Sequence, residues 1–210
     1  MRHIDRLPLR SRTEAYLAAR QYAVDRGADA RKAWEAARQT RAFTPIKVAL
    51  TAMAGRTQRC MFCEDSLGAD VDHFWPVRGE AGDPGRTFQW ANLLLVCTPC
   101  NRAKGSEFPL ADDGTPLLID PTADEPTEHL TFVPETGELA AAWEPHGEES
   151  ARGVETLRVI RTLNAEPVTR RRRAAYEVLA DAVQEYLDGK RGLASLLNTI
   201  RKHRDFGLGR

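Results

Sequence analysis

The sequence predicts an α+β chain in which helices flank a small, cysteine-rich middle. Apolar residues recur at helical spacing near both ends, whereas two C-x-x-C pairs and short strand-like runs occupy the centre. The chain has 210 residues, of which 42% are hydrophobic, enough for a core. We divide it into an N-terminal helical segment (residues 1–55), a central module (56–116), a small β-hairpin extension (117–149) and a C-terminal helical segment (150–210).

The N-terminal segment is predicted to hold two or three helices. Residues 13–26 carry an apolar stripe, with Thr13 as a candidate N-cap and Gly27 as a stop. Residues 29–42 repeat the pattern, and Pro45 can open a third helix that stops near Gly55.

Short strands are expected in the middle of the chain and helices at its end. In the central module, residues 71–74 and 93–96 have strand character, and a short helix from Pro99 to Gly105 follows. Three further strand-like pieces are residues 117–120, 129–133 and 138–143, the last two joined by a turn at 134–137. The predicted C-terminal helices cover residues 151–164, 167–188 and 191–204.

Charge is unevenly distributed along a chain whose formal net charge is zero. Residues 1–59 carry a balance of +8, residues 60–150 of −14 and residues 151–210 of +6. Basic flanks around an acidic centre suit an enzyme whose flanks approach phosphate while its centre gathers metal ions, although solvated helix faces explain the pattern equally well. No apolar run reaches the roughly 18 residues of a membrane span, and no secretory signal is recognisable. We therefore expect a cytoplasmic protein without membrane contact.

The four cysteines form two pairs, Cys60 with Cys63 and Cys97 with Cys100. A cytoplasmic location argues against disulfides. Two C-x-x-C pairs separated by 33 residues are typical of a structural zinc site with four thiolate ligands. A redox role for either pair is the alternative.

Between the pairs lies Asp72-His73, and Asn101 directly follows the last cysteine. A neutral imidazole can take a proton from water, so His73 suits a general base. Asp72 and Asn101 offer hard oxygen ligands for Mg²⁺ or Mn²⁺. Neighbouring side chains of a strand point to opposite faces, so the strand must end or bulge here if Asp72 and His73 share a site. Taken singly, these residues are better explained as surface, turn or helix-capping groups.

The string C-x-x-C … D-H-x-x-P … W-x-N-L-L-L-x-C-x-x-C-N-x-x-K-G, from Cys60 to Gly105, resembles the HNH nuclease family. The resemblance implies a ββα-metal fold with one catalytic Mg²⁺ or Mn²⁺, and zinc as a structural staple. It implies that His73 is the general base, that Asp72 and Asn101 bind the catalytic metal, and that Asn92 holds the hairpin and orients His73.

Two cations after the last cysteine are candidate phosphate contacts. Lys104 could reach a phosphate from the short helix and Arg102 could assist, with solvated side chains as the alternative. Arg170, Arg171, Arg172 and Arg173 form a basic run early in a predicted helix, where four cations oppose the helix dipole. A phosphate or acidic partner would explain this run, and a solvated face is the default interpretation.

A wider pattern resembles the HNH subunit of the Septu anti-phage systems and their retron-associated relatives. It comprises a helical Trp34 before the first cysteine pair, F-P-L at residues 108–110, an I-D-P … H-L-x-F … G-E-L segment at residues 119–139, T-L-x-x-I-x-x-L-N at residues 156–164, and the arginine run. The resemblance implies a DNA endonuclease controlled by a partner ATPase of the ABC/SMC-like type. The chain has no Walker A motif, so ATP chemistry would have to come from the partner.

Two other functions remain open from the sequence. The first is a non-catalytic zinc module that binds nucleic acid or a partner protein. The second is a stand-alone HNH nuclease of the restriction or homing type.

Overall fold

The structure, a computed structural model, describes residues 1–203 and confirms the α+β class. Residues 204–210, which include the end of the predicted last helix and segment, lie outside the described residues. The helices are α1 (Ser11–Asp25), α2 (Ala30–Arg38), α3 (Thr44–Met53), α4 (Thr98–Lys104), α5 (Ala151–Val159), α6 (Glu166–Leu187) and α7 (Leu193–His203). The strands are β1 (Asp70–His73), β2 (Leu93–Val96), β3 (Leu130–Val133) and β4 (Glu138–Ala141).

The three N-terminal helices lie close to their predicted positions, but Thr13 is not an N-cap. The amides of Thr13 and Glu14 both donate to the carbonyl of Arg10, so α1 begins two residues earlier and Thr13 is buried inside its first turn. Helix α2 is capped by Asp29, whose side chain accepts a hydrogen bond from the amide of Lys32.

Strands β1 and β2 form an antiparallel pair, with Asp70 opposite Val96 and His73 opposite Leu93. Every residue of β2 is buried, because other elements cover both faces of this strand. One of those elements is the loop with the first cysteine pair, where the amide of Met61 donates to the carbonyl of Leu95 at 2.9 Å. Helix α4 follows β2 directly, so two strands and a helix come together around the cysteines.

The hairpin of β3 and β4 forms as predicted, with its turn at residues 134–137. Gly137 has φ +77°, and a Cβ there would lie 2.2 Å from the carbonyl oxygen of Thr169 in α6. Glycine is therefore required where the helix crosses the turn.

The prediction of a strand at residues 117–120 is wrong. The amides of Ile119 and Asp120 donate to the side chains of Thr156 and Asp124 rather than to a neighbouring strand. Leu118 and Ile119 are nevertheless fully buried, so the apolar run marked core rather than sheet.

The single helix predicted at residues 151–164 is broken at Ile160. Helix α5 begins after its cap Ser150, ends at Val159, and is followed by a 3₁₀ turn over Arg161–Asn164. In this turn the side chain of Asn164 accepts from the amide of Leu139 and donates to its carbonyl, which fixes β4. The apolar periodicity of the sequence continues through the break, but tertiary contacts determine where the helical backbone ends.

The arginine run at the start of α6 finds its partners within the chain. Arg171 pairs with Asp65 beside the first cysteine pair, and the buried Arg172 donates to the carbonyls of Gly137 and Leu163. Arg170 pairs with Glu166, one turn earlier in the helix, and Arg173 pairs with Glu177, one turn later. For Arg171 the acidic partner is therefore Asp65 of the central module, whereas Arg170 and Arg173 lie on the solvated face that was the default interpretation.

The first ten residues are extended and lie along the central module. The guanidinium of Arg6 donates to the carbonyls of Trp90, Ala91 and Leu93, where the chain enters β2. Within residues 1–203, none of the helices has both the length and the apolar character required to cross a bilayer.

Candidate functional site

The four cysteines converge on one buried cluster. The sulfur atoms of Cys60, Cys63, Cys97 and Cys100 all lie within 4.8 Å of one another. The Sγ atoms of Cys63 and Cys97 are 3.8 Å apart. Four thiolates about 2.3 Å from a tetrahedral Zn²⁺ would be separated by about 3.8 Å, so the donor set and its size fit a zinc ion.

The local backbone conformation positions both cysteine pairs. The amide of Cys60 donates to the carbonyl of Ser66 and that of Glu64 to the carbonyl of Cys60, closing a tight loop in which Glu64 has φ +57°. In the second pair, Cys97 precedes the first residue of α4 and Cys100 lies within it. The second pair therefore links the end of β2 to the helix.

The C-terminal segment also reaches this cluster. The hydroxyl of Thr162, in the 3₁₀ turn before α6, lies 3.1 Å from Sγ of Cys100. A hydroxyl can donate to a metal-bound thiolate and reduce its charge.

Asp72 and His73 line one cavity although they are neighbours on a strand. Strand β1 ends at His73, which satisfies the condition set by the sequence. The cavity has a volume of about 230 Å³ and opens to the surface, and Trp34, Arg31, Arg78 and Lys104 also contribute to its lining.

The ring of His73 is oriented by a backbone carbonyl. Its Nε2 lies 2.9 Å from the carbonyl oxygen of Thr87. Because a carbonyl can only accept, Nε2 carries the proton and Nδ1 of the neutral ring holds a lone pair. Burial lowers the pKa of His73 below its ordinary value, which favours the neutral ring near pH 7.

Lys104 lies beneath Asp72 and His73 and is 1% exposed. Its ammonium group donates to the carbonyl of His73 at 2.7 Å and lies 3.2 Å from Oδ2 of Asp72. That oxygen is buried and, within residues 1–203, accepts no hydrogen bond. The second candidate cation, Arg102, is exposed on α4.

Asn92 is buried and joins the two ends of the loop between β1 and β2. Its Oδ1 accepts from the amide of Trp75, and its Nδ2 donates to the carbonyls of Trp75 and Arg86. Arg86 directly precedes Thr87, whose carbonyl holds His73. The amide of Asn92 therefore contacts the loop that carries the partner of His73 rather than the ring.

Asn101 contacts a carboxylate that the sequence reasoning missed. Its Nδ2 lies 3.2 Å from Oδ2 of Asp70, two residues before Asp72 and on the same face of β1. The alternation D-V-D-H could have signalled this second carboxylate. Asp72, His73 and Lys104 thus meet at one cavity, while Asn101 reaches the strand through Asp70.

Three further residues of the site were also missed. The carbonyl of Thr87 has no sequence signal, because any residue supplies a carbonyl. Arg31 and Arg78 line the cavity from α2 and from the loop after β1, and both are exposed. Only the folded chain brings these three positions to His73.

Two curated proteins are similar to this chain, and both are named Septu protein PtuB. The one from Bacillus mycoides (strain KBAB4) is 28% identical over 166 residues, covering 66% of this chain and 54% of the relative. The one from Bacillus thuringiensis is 33% identical over 90 residues, covering 40% of this chain and 32% of the relative. The chain is therefore PtuB-like in sequence, and the matches span about half of these relatives or less. No protein-family model matches the chain.

Proposed function

We propose that this PtuB-like chain is a metal-dependent HNH endonuclease that hydrolyses DNA phosphodiester bonds in defence against phage. One observation carries the catalytic part of the proposal. His73, whose Nε2 is held by the Thr87 carbonyl, lines one cavity together with the carboxylate of Asp72. The motif from Cys60 to Gly105 supports the assignment to the HNH class, and the similarity to the PtuB proteins supports the defence role.

In this proposal His73 is the general base. Its Nδ1 accepts a proton from the attacking water, and the carbonyl of Thr87 stabilises the positive ring that results, because Nε2–H remains donated to it. Asn92 maintains this geometry by holding the loop segment next to Thr87.

The proposed catalytic metal is Mg²⁺ or Mn²⁺, with Asp72 and Asn101 as the residues that would hold it. The support is Oδ2 of Asp72, a buried carboxylate oxygen that accepts no hydrogen bond within residues 1–203, although it lies 3.2 Å from the ammonium group of Lys104. The amide nitrogen of Asn101 donates to Asp70, so its amide oxygen is the atom that would face the ion. Hard oxygen donors are what these ions prefer. When bound, the ion would offset the negative charge that develops on the phosphate.

The remaining site residues take supporting roles. Zinc on Cys60, Cys63, Cys97 and Cys100 would hold β2, α4 and the first cysteine loop together without taking part in cleavage. Lys104 pairs with the Asp72 carboxylate and holds it in place, and its contact with a substrate phosphate, like that of Arg102, remains a prediction. One such site cuts one strand at a time, so we expect nicking.

The partner is proposed to be an ATPase of the ABC/SMC-like type. The chain lacks a Walker A motif, so a second protein would supply any ATP-dependent control. Co-expression with a candidate ATPase of this type, followed by size-exclusion chromatography of the tagged chain, tests the assembly. Separate elution of the two proteins would favour the stand-alone nuclease.

The decisive experiment measures nicking of supercoiled plasmid with Mg²⁺ or Mn²⁺, in the presence and absence of the partner ATPase. We expect the wild type to nick and His73→Ala to lose about 10² to 10⁴-fold in rate, the usual contribution of a general base. His146→Ala is the matched control, because His146 is exposed and forms an ion pair with Glu144. Equal cutting by wild type and His73→Ala would refute the base assignment. Absence of cutting in every condition would favour the non-catalytic zinc module.

A further inference from the structure

An aromatic ring from the N-terminal helices lies against the imidazole of His73. The ring centroids of Trp34, in α2, and His73 are 4.3 Å apart, with an interplanar angle of 58°. Trp34 also lines the cavity that His73 and Asp72 share. The contact joins the first helical segment directly to the proposed base.

The Trp34 ring is itself held firmly. The side chain is 8% exposed. Its ring centroid lies 5.2 Å from that of Phe43, in an edge-on contact, and 5.6 Å from that of Phe88, in a tilted contact. Phe43 precedes α3, and Phe88 directly follows Thr87, whose carbonyl binds His73. Trp34 is therefore fixed by the same loop that holds the other edge of the imidazole.

The hydrogen bond to Thr87 alone does not orient the imidazole completely. One hydrogen bond fixes the direction of Nε2–H but leaves the ring free to rock about that axis, which would move Nδ1. A large flat ring at 4.3 Å blocks this motion on one side. Together the two contacts define both the direction and the plane of the base.

We infer that Trp34 is a positioning residue for His73, so that helix α2 completes the active site of the nuclease. The inference rests on the proposed function, since it assigns a role to the base of that reaction. Arg31, one helical turn before Trp34, lines the same cavity and brings a cation from the same helix towards the substrate side. The segment from Cys60 to Gly105 is then incomplete as a catalyst without residues 30–38.

Substitution of Trp34 tests the inference through the separation of kcat from KM. We expect Trp34→Ala and Trp34→Leu to lower kcat for nicking by about 10 to 100-fold while KM changes by less than about threefold, because a base displaced by about 1 Å loses rate rather than affinity. Trp34→Phe should recover most of the rate, because it keeps a flat ring. Trp143→Ala is the matched control, since Trp143 is 71% exposed on the hairpin extension.

Zinc content and circular dichroism identify the variants that fold. A folded Trp34→Leu protein with wild-type kcat would overturn the inference, because the aromatic ring would then be dispensable. A rise in KM with unchanged kcat would also overturn it, since it would place Trp34 in substrate binding.

A second measurement needs no activity and leaves Trp34 unchanged. The ring current of Trp34 should displace the His73 imidazole proton resonances by a few tenths of a ppm or more from those of an isolated histidine, with His73→Gln used for assignment. Unshifted resonances in the wild-type protein would refute the contact. If the contact is present and the wild type does not cleave with its partner ATPase, the proposed function fails while the geometry stands.

Discussion

At the scale of single residues, the least expected feature is the burial of Lys104. A lysine at the end of a short helix is ordinarily solvated, yet its ammonium group lies beneath β1 and compensates the charge of Asp72. A buried cation is tolerated only when paired and hydrogen-bonded, and the carbonyl of His73 supplies the second contact. Lys104 therefore supports both residues of the proposed reaction before any substrate arrives.

We predict that Lys104→Met lowers the free energy of unfolding by about 2 to 5 kcal/mol, because it leaves Asp72 without its counter-charge in a poorly solvated position. Urea unfolding followed by tryptophan fluorescence measures the change. Lys47→Met, on the exposed face of α3, is the matched control and should stay within about 0.5 kcal/mol of wild type. The double variant Asp72→Asn/Lys104→Met should recover part of the loss. A Lys104→Met protein as stable as the control would show that the pair contributes nothing.

At the scale of elements, Arg172 is the arginine of the basic run that holds helix α6 against the β3–β4 turn. Arg172 joins the hairpin turn to the 3₁₀ turn before the helix through its bonds to Gly137 and Leu163. The close approach at Gly137 leaves no room for a Cβ, so the hydrogen bond and the glycine act at the same crossing. Arg170 and Arg173 contribute little there, because they pair with glutamates on exposed faces.

We predict that Arg172→Lys costs about 1 to 3 kcal/mol, since an ammonium group lacks the planar fork that reaches two carbonyls at once. Arg170→Lys is the matched control, because Arg170 is exposed and pairs with Glu166 one turn away. Chemical denaturation of both variants gives the comparison. Equal stability of the two would show that solvent substitutes for the buried donor.

At the scale of the whole molecule, the cysteine cluster connects three parts of the chain. Cys60 and Cys63 follow α3, Cys97 and Cys100 join β2 to α4, and Thr162 brings in the C-terminal segment. Arg171 adds a second link from α6 to Asp65 beside the first pair. A metal at this position would hold segments that the sequence separates widely.

We predict that removal of zinc with a chelator lowers the midpoint of thermal unfolding by more than about 10 °C, because structural zinc contributes directly to folding free energy. Differential scanning calorimetry of the untreated, chelated and zinc-reconstituted protein measures the effect. Added Mg²⁺ is the control and should not restore the midpoint, since thiolates select soft metals. An unchanged midpoint after verified metal loss would contradict a structural role.

Much of the fold was predictable because its signals are local. The helical stripes place α1, α2, α3 and α6 within a few residues, and the PETG turn places the β3–β4 hairpin. Cysteine spacing predicted that the four cysteines would converge on one cluster that could hold a metal, because two C-x-x-C loops suit the same tetrahedral ion. The prediction errors fall where the side chain of a distant residue accepts a backbone hydrogen bond. Thr156 accepts from the amide of Ile119, and Asn164 accepts from the amide of Leu139.

In the candidate site too, the residue types could be read from the sequence, whereas the contacts between them could not. The chemistry of imidazole, carboxylate and amide made Asp72, His73 and Asn101 candidates from the sequence, and the resemblance to the HNH family added Asn92; their roles stay predictions. Packing alone decided that Trp34 would lie on His73, that Lys104 would be buried beneath Asp72, and that Asn101 would meet Asp70. These contacts join residues far apart along the chain, and only the shared core brings them together.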